Sequence, residues 1–213
     1  HTPVFRSSRP TIHIYHMLFE YLTEKLAPAT TVHGTLVDVY GVGVLFTGRS
    51  GIGKSEIALD LVERGHRLVA DDIVCIIKKR SGMLTGTSQK LLKNMLEIRG
   101  VGLIDVWSTF GIRATRVQKR IEVEVLLEDH RKIEDYDRLG VEDENREYLG
   151  VKIPLLRLPI FPGKNITVIS EVIALKVMQR IYGFRPEKDF INKLDKKIKE
   201  QNKIRKYLAG DIE

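Results

Sequence analysis

The residues Gly48-Arg49-Ser50-Gly51-Ile52-Gly53-Lys54-Ser55 match G-x-x-x-x-G-K-[ST] in full, and no other stretch restricts the architecture of this chain so tightly. A loop of this kind holds phosphate with inward-turned backbone N–H groups, a shape that glycines permit because they lack a Cβ. It needs a strand to deliver it and a helix to follow, whose positive end faces the anion. Both are written around it: Val42–Thr47 is a β-rich run, and Lys54–Arg64 reads as a helix closed by Gly65. Short glycine motifs arise by chance, but the flanking strand and helix set this one apart. The octet Gly48 to Ser55 is therefore expected to bind the phosphates of a nucleotide such as ATP. Lys54 would bring a mobile positive charge to a transferring phosphoryl group, and the Ser55 hydroxyl would ligate Mg²⁺.

A second β-rich run, Thr35–Val39, precedes Val42–Thr47 across Tyr40-Gly41 and predicts a hairpin with a tight turn. A hairpin feeding the loop implies a mixed sheet. The expected fold is thus α/β, a P-loop-containing kinase domain with a mixed β-sheet flanked by helices. Arg67–Ala70 and Ile73–Ile77 predict strands on either side of Asp71-Asp72, and Val101–Val106 and Ile121–Leu127 predict two more. Leu91–Glu97 predicts a short helix and Ile166–Arg180 a longer one. Asp129–Gly150 is polar and predicts surface loops; the apolar run Ile153–Leu158 leads into a Pro/Gly-punctuated loop, Pro159–Asn165. At the start, Ile14, Met17, Leu18, Tyr21, Leu22 and Leu26 recur at helical spacing and predict an amphipathic helix over Thr11–Leu26, ended by Pro28. Residues 1–26 read as an N-terminal linker and helix, and 27–213 as the catalytic domain. The chain begins at His1, and an upstream domain is expected to be missing from it.

The net charge of +7 favours acidic partners: nucleotide phosphates, nucleic acid or an acidic protein. The basic residues are not interleaved with stacking aromatics and no zinc spacing occurs, so no nucleic-acid partner is expected. Neither is a membrane, because no apolar run approaches the roughly 20 residues of a spanning helix. Cys75 is the only cysteine, which excludes an intrachain disulfide and fits a reducing, cytoplasmic setting. It is expected in the core, with Trp107 and Phe110 in the core or a pocket wall. The lysine-rich segment Glu187–Leu208 predicts an amphipathic helix with Phe190, Leu194 and Ile198 on one face. Such a run is usually a solvated face; the sharper reading is a docking surface for an acidic protein.

A nucleotide site also needs acidic groups for its metal, and a hydroxyl acceptor needs a base. Asp71-Asp72 ends a predicted strand, where such groups face a bound phosphate, although adjacent aspartates equally suit a solvated turn. Glu97, two residues before Arg99, reads as easily as half of a surface ion pair. His33 alone is more often structural than catalytic.

Taken together these segments closely resemble the bacterial HPr kinase/phosphorylase family. The matching stretches are Thr31-Val32-His33-Gly34, the phosphate loop, Ala70-Asp71-Asp72 and Leu96-Glu97-Ile98-Arg99-Gly100-Val101-Gly102-Leu103-Ile104-Asp105-Val106. Tyr136-Asp137-Arg138-Leu139-Gly140 and Pro162-Gly163-Lys164-Asn165 look like later blocks of the family. The resemblance implies a bifunctional enzyme. With ATP, or sometimes pyrophosphate, it phosphorylates a serine of HPr, a carrier protein of sugar uptake, in the service of carbon catabolite repression. It removes that phosphate with inorganic phosphate, releasing pyrophosphate. It also implies a homohexamer. By resemblance Lys54 holds the phosphoryl group, Ser55 and Glu97 serve Mg²⁺, and His33 and Arg138 orient and neutralise phosphate charge. Asp72 takes the proton of the incoming serine and returns one in reverse, with Asp71 beside it as a metal or positioning partner; a like charge so near would raise the pKa of the base. The loop Pro159–Lys164 matches the region associated with phosphorolysis. A P-loop kinase of a small-molecule hydroxyl is the alternative, against which the Glu-Ile-Arg-Gly block and the basic C-terminal segment both argue.

Overall fold

The computed structural model describes residues 3–129, 144–161, 163–184, 193 and 196–201. Its elements run α1 (Thr11–Lys25), β1 (Ala29–His33), β2 (Thr35–Val39), β3 (Val42–Gly48), α2 (Lys54–Glu63), β4 (Arg67–Ala70), β5 (Ile73–Lys78) and β6 (Leu84–Ser88). There follow β7 (Met95–Ile98), β8 (Gly102–Asp105), α3 (Val106–Phe110), β9 (Gln118–Arg120), β10 (Val123–Asp129), β11 (Asn145–Tyr148), β12 (Val151–Ile160) and α4 (Ile166–Ile181).

The expected hairpin is present, with Tyr40 and Gly41 both at positive φ (51° and 84°), the conformation of a turn whose twist matches the flanking strands. It lies inside a six-stranded sheet of order β11-β12-β10-β3-β2-β4, in which β3, β10 and β12 are mutually parallel and the outer pairings antiparallel. The sheet is mixed, as the hairpin required. A second, antiparallel sheet has the order β1-β5-β6-β9, and β7 and β8 form a separate hairpin.

Alternation of side chains along β2 and β3 decides what packs where. Val37, Val39, Val44 and Phe46 meet Ile57, Ala58 and Leu61 of α2 and Ala174 and Val177 of α4. On the opposite face Leu36 and Leu45 meet Val74, Ile76 and Leu84 of the second sheet. Both faces of the hairpin are therefore covered, and its strands are buried along almost their whole length, Thr35 and Asp38 included. Each of these side chains other than the two alanines gives about 1.5–3 kcal/mol by leaving water.

Several sequence expectations are corrected. Leu91–Glu97 is not a helix: a short 3₁₀ turn, Lys90–Leu92, gives way to β7, where Leu96 and Ile98 are buried, Glu97 is exposed and β8 pairs alongside. Val106 leaves the strand it was expected to end, because Asp105 caps α3 by accepting the Trp107 and Ser108 N–H groups. Trp107 and Phe110 are 46% and 37% exposed, so neither is core. Cys75 is half-buried, for Val74 and Ile76 on the other face of β5 take the core positions. The polar run after Asp129 contains β11, held by fully buried Glu124, which accepts from Thr47 Oγ1 (2.6 Å) and the Tyr148 hydroxyl (2.9 Å). Helix α1 forms as expected but buries none of its residues; it touches the domain where Arg80 lies over the Phe19 ring and Lys79 pairs with Glu24. Of the basic C-terminal segment, Lys193 and residues 196–201 are described, helical and exposed, and the rest lies outside the described residues.

The far end of α2 is fixed by charge. Arg64 donates twice to Glu171 of α4 (2.8 and 2.7 Å), and buried His66 lies 3.1 Å from the same carboxylate. The Arg64 hydrogen bonds, helped by His66, hold the Glu171 carboxyl down from 4.5 to about 2. A depressed carboxylate pKa stabilises the fold above the unfolded value and loses that contribution as pH falls through the folded one. The acid limb of unfolding is thus expected between about pH 4.5 and 2, and Glu171→Gln should flatten it. At neutral pH that variant should cost about 3 kcal/mol, the low end for breaking a buried pair because Arg64 is half-exposed. Denaturant melts at pH 7 and pH 3 check both; equal losses at the two would contradict the linkage.

Candidate active site

The carboxyl end of β3 delivers the phosphate loop, and Gly48, Gly51 and Gly53 take φ values of 138°, 74° and 104°, which side chains rarely adopt. α2 begins at Lys54 with its open N–H groups toward the loop. Lys54 is 6% exposed, and its ammonium donates to the carbonyls of Gly48 and Arg49 and to His33 Nε2, each at 3.2 Å. Burial draws its pKa below the ordinary lysine value, while the charges of Asp71 and Asp72 push the other way and Arg99 adds to the lowering.

An ammonium can only donate, so His33 Nε2 is the acceptor and the ring proton sits on Nδ1. Nδ1 then donates to Asp72 Oδ1 at 3.1 Å. The result is a chain, Lys54–His33–Asp72, whose outer carboxylate is half-exposed to the cleft. Asp72 occupies the left-handed region (φ 64°), which aspartate tolerates better than most residues. That corner separates the two carboxylates. Asp71 is buried and accepts from Thr35 Oγ1, from Ser55 Oγ (3.0 and 2.9 Å) and from the Glu97 N–H (3.3 Å). The pair that looked equivalent in sequence thus has two environments, one sealed beneath the loop and one open above it.

The β7–β8 hairpin brings Glu97 and Arg99 to the same cleft, a cavity of about 130 Å³ that also takes in His33, Lys54, Asp71 and Asp72. Arg99 had no role in the sequence reading. Here its guanidinium lies over the loop, donating to Ser50 Oγ at 3.3 Å, and a Cβ on Gly51 would come within 2.2 Å of it. Its place two residues after Glu97 on a hairpin was the available signal: residues i and i+2 share one face of a strand. Thr35, which holds Asp71, carried no such mark. Arg49 turns from the cleft to pair with Asp129 at the end of β10 (3.1 Å). Arg138 lies outside the described residues. A larger cavity, about 440 Å³, opens by Val123 at the start of β10, against Ile173 and Val177, and contains none of these groups.

Ser55 Oγ and the carboxylates of Asp71 and Glu97 are hard oxygen donors in one cleft, the donor type of Mg²⁺. Among the described residues no cluster of three or more His, Cys, Asp or Glu forms a metal cage. Two cations, an oxygen set for a third and a half-exposed carboxylate can neutralise a phosphoryl group and accept a proton beside it.

A mixed α/β domain whose central strand passes through a glycine-rich loop into a helix, with acids and bases converging on that loop, is the class that fold and site define. The chain belongs to the HPr serine kinase C-terminal domain family, whose model matches residues 24–194. It is 47% identical over 199 residues to the HPr kinase/phosphorylase of Chloroherpeton thalassium, covering 93% of this chain and 57% of that protein. It is 46% identical to that of Geobacillus kaustophilus, covering 93% and 64%. The chain thus spans about three fifths of the length of these relatives. Among solved structures, the HPr(Ser) kinase/phosphatase from Coxiella burnetii superposes with a TM-score of 0.69 at 30% identity, covering 76% of this chain and 98% of that one.

Proposed function

We propose that this domain is a P-loop protein-serine kinase and phosphorylase acting on HPr. The observation that carries the reading is the Lys54–His33–Asp72 chain across the mouth of the phosphate loop, in a member of this family. Lys54 and Arg99 neutralise the phosphoryl group of ATP or pyrophosphate. Ser55 and Glu97 would hold Mg²⁺, with Asp71 fixing Ser55, and a bound ion would supply charge neutralisation at the phosphates. The HPr serine oxygen bonds to phosphorus as the bond to the leaving phosphate breaks, and Asp72 accepts the serine proton. In reverse, inorganic phosphate attacks the phosphoserine, the serine oxygen leaves with the proton from Asp72, and pyrophosphate is released. One carboxylate serves both directions by microscopic reversibility. His33 holds Asp72 and steadies Lys54; Arg138 and the loop 159–164 complete phosphate handling in the phosphorolytic direction.

The unit proposed to do this is residues 27–213, with 1–26 leading into it, acting as a homohexamer in the cytoplasm. Its basic C-terminal segment docks HPr. No helix among the described residues is long and apolar enough to cross a membrane. The test is transfer of labelled phosphate from ATP–Mg²⁺ to a serine of purified HPr, followed by inorganic phosphate. Transfer and then pyrophosphate release are expected; ATP binding without transfer to HPr would redirect the reading to another acceptor.

A further inference from the structure

The phosphates of a donor at Lys54 leave open where the rest of the nucleotide goes, and the geometry closes most routes. An in-line displacement puts acceptor and leaving group on opposite sides of the transferred phosphorus. Asp72 and His33 mark the acceptor side, since the base must reach the incoming hydroxyl. Arg99 covers the loop at Gly51. The remaining way out passes Gly53 and Glu56, the two residues that line both the phosphate cleft and a neighbouring cavity of about 460 Å³. That second cavity runs between the first two turns of α2 on one side and Ile160, Gly163, Lys164 and the start of α4 on the other. Ile52, Ile57, Ile160 and Ile166 form its apolar wall, with Glu56 and Lys164 among its charged lining.

We infer that this groove is the nucleoside subsite of the phosphate donor, an inference that rests on the phosphotransferase reading above. Its size falls in the range of small-molecule sites. The isoleucines offer apolar contact to a purine face, the Glu56 carboxylate accepts from ribose hydroxyls, and Lys164 supplies a cation where the phosphate chain enters. The isoleucine wall and Glu56 serve the nucleotide alone: a donor without a nucleoside, such as an inorganic polyphosphate, uses the phosphate loop and leaves them unused.

Calorimetric titration of the protein with ATP and with tripolyphosphate, both with Mg²⁺, separates the two subsites. Ile166→Ala, outside the loop 159–164, removes apolar wall from beside the base; it should weaken ATP about tenfold, some 1.4 kcal/mol, and tripolyphosphate by less than about twofold. Glu56→Gln, on the exposed face of α2, should act in the same selective direction. Tripolyphosphate binding doubles as the check that each variant is folded. Photolabelling of the unaltered protein with 8-azido-ATP should mark peptides containing Ile160–Asn165 or Ile52–Asp60. Equal weakening of both ligands, unchanged ATP affinity in both variants, or label elsewhere would overturn the nucleoside groove and leave the phosphate loop standing. An unaltered protein that binds no tripolyphosphate would overturn the phosphotransferase reading and this one with it.

Discussion

Lys54→Ala is expected to lower phosphate transfer from ATP to HPr about a thousandfold, the scale of losing one preorganised charge aimed at a transition state. The reason is position. Lys54 is almost fully buried, rooted in the first turn of α2 and aimed back over the loop, and the remaining cation of the cleft, Arg99, approaches from the opposite hairpin. Because the same charge faces the same phosphorus in both directions, pyrophosphate release from phosphorylated HPr should fall by a similar factor. Stability should fall modestly, by about 1–3 kcal/mol, since the Gly48 and Arg49 carbonyls and His33 Nε2 lose the donor they share. Transfer assays in each direction with a thermal melt measure all three. Retention of either activity within about tenfold would mean that Lys54 is not the charge the reaction uses.

Asp72→Asn is the second large effect. Losing the base should cost about 10²–10⁴ in kcat, while ATP affinity stays close to that of the unaltered enzyme. Asparagine suits the test because it also tolerates the left-handed corner and its amide oxygen still accepts from His33 Nδ1. Asp71→Asn should behave differently. Asp71 touches Thr35, Ser55 and the Glu97 backbone, so its loss should appear first as a higher Mg²⁺ requirement. Titrating Mg²⁺ in both variants separates the roles. If Asp71→Asn gives the deeper loss at saturating Mg²⁺, the two aspartates exchange parts.

The centre of the fold was legible because the phosphate loop dictates its neighbours: β3 before it, α2 after it, and the Tyr40-Gly41 turn behind. The margins were less so. β1 is short and threonine-rich, and β9 is three polar residues at a sheet edge, held by pairing to β6 rather than by any apolar pattern. Leu91, Leu92, Met95 and Leu96 imitate a helical face, yet the hydrogen bonds of β8 impose a period of two on the last of them. Within the site, residue types and spacing marked Lys54 and Ser55, and the family resemblance singled out His33, Asp71, Asp72 and Glu97. They could not show that a positive φ at Asp72 would turn one aspartate outward and leave the other beneath the loop. Arg99 was quoted among the matching residues and passed over, because its reach across the loop depends on a hairpin whose first strand was read as a helix.

The three hydrogen bonds of Lys54 bear on the ease of turnover. The ammonium is held by two loop carbonyls and a histidine, partners that the protein itself supplies. With those acceptors in reach, the buried cation need not be left unpaired as a phosphate comes and goes. A catalyst that held one phosphorylated partner tightly would be slow to run its reaction backwards. Those partners of the lysine suit a step proposed to run either way, its direction set by the concentrations of the phosphate compounds around it.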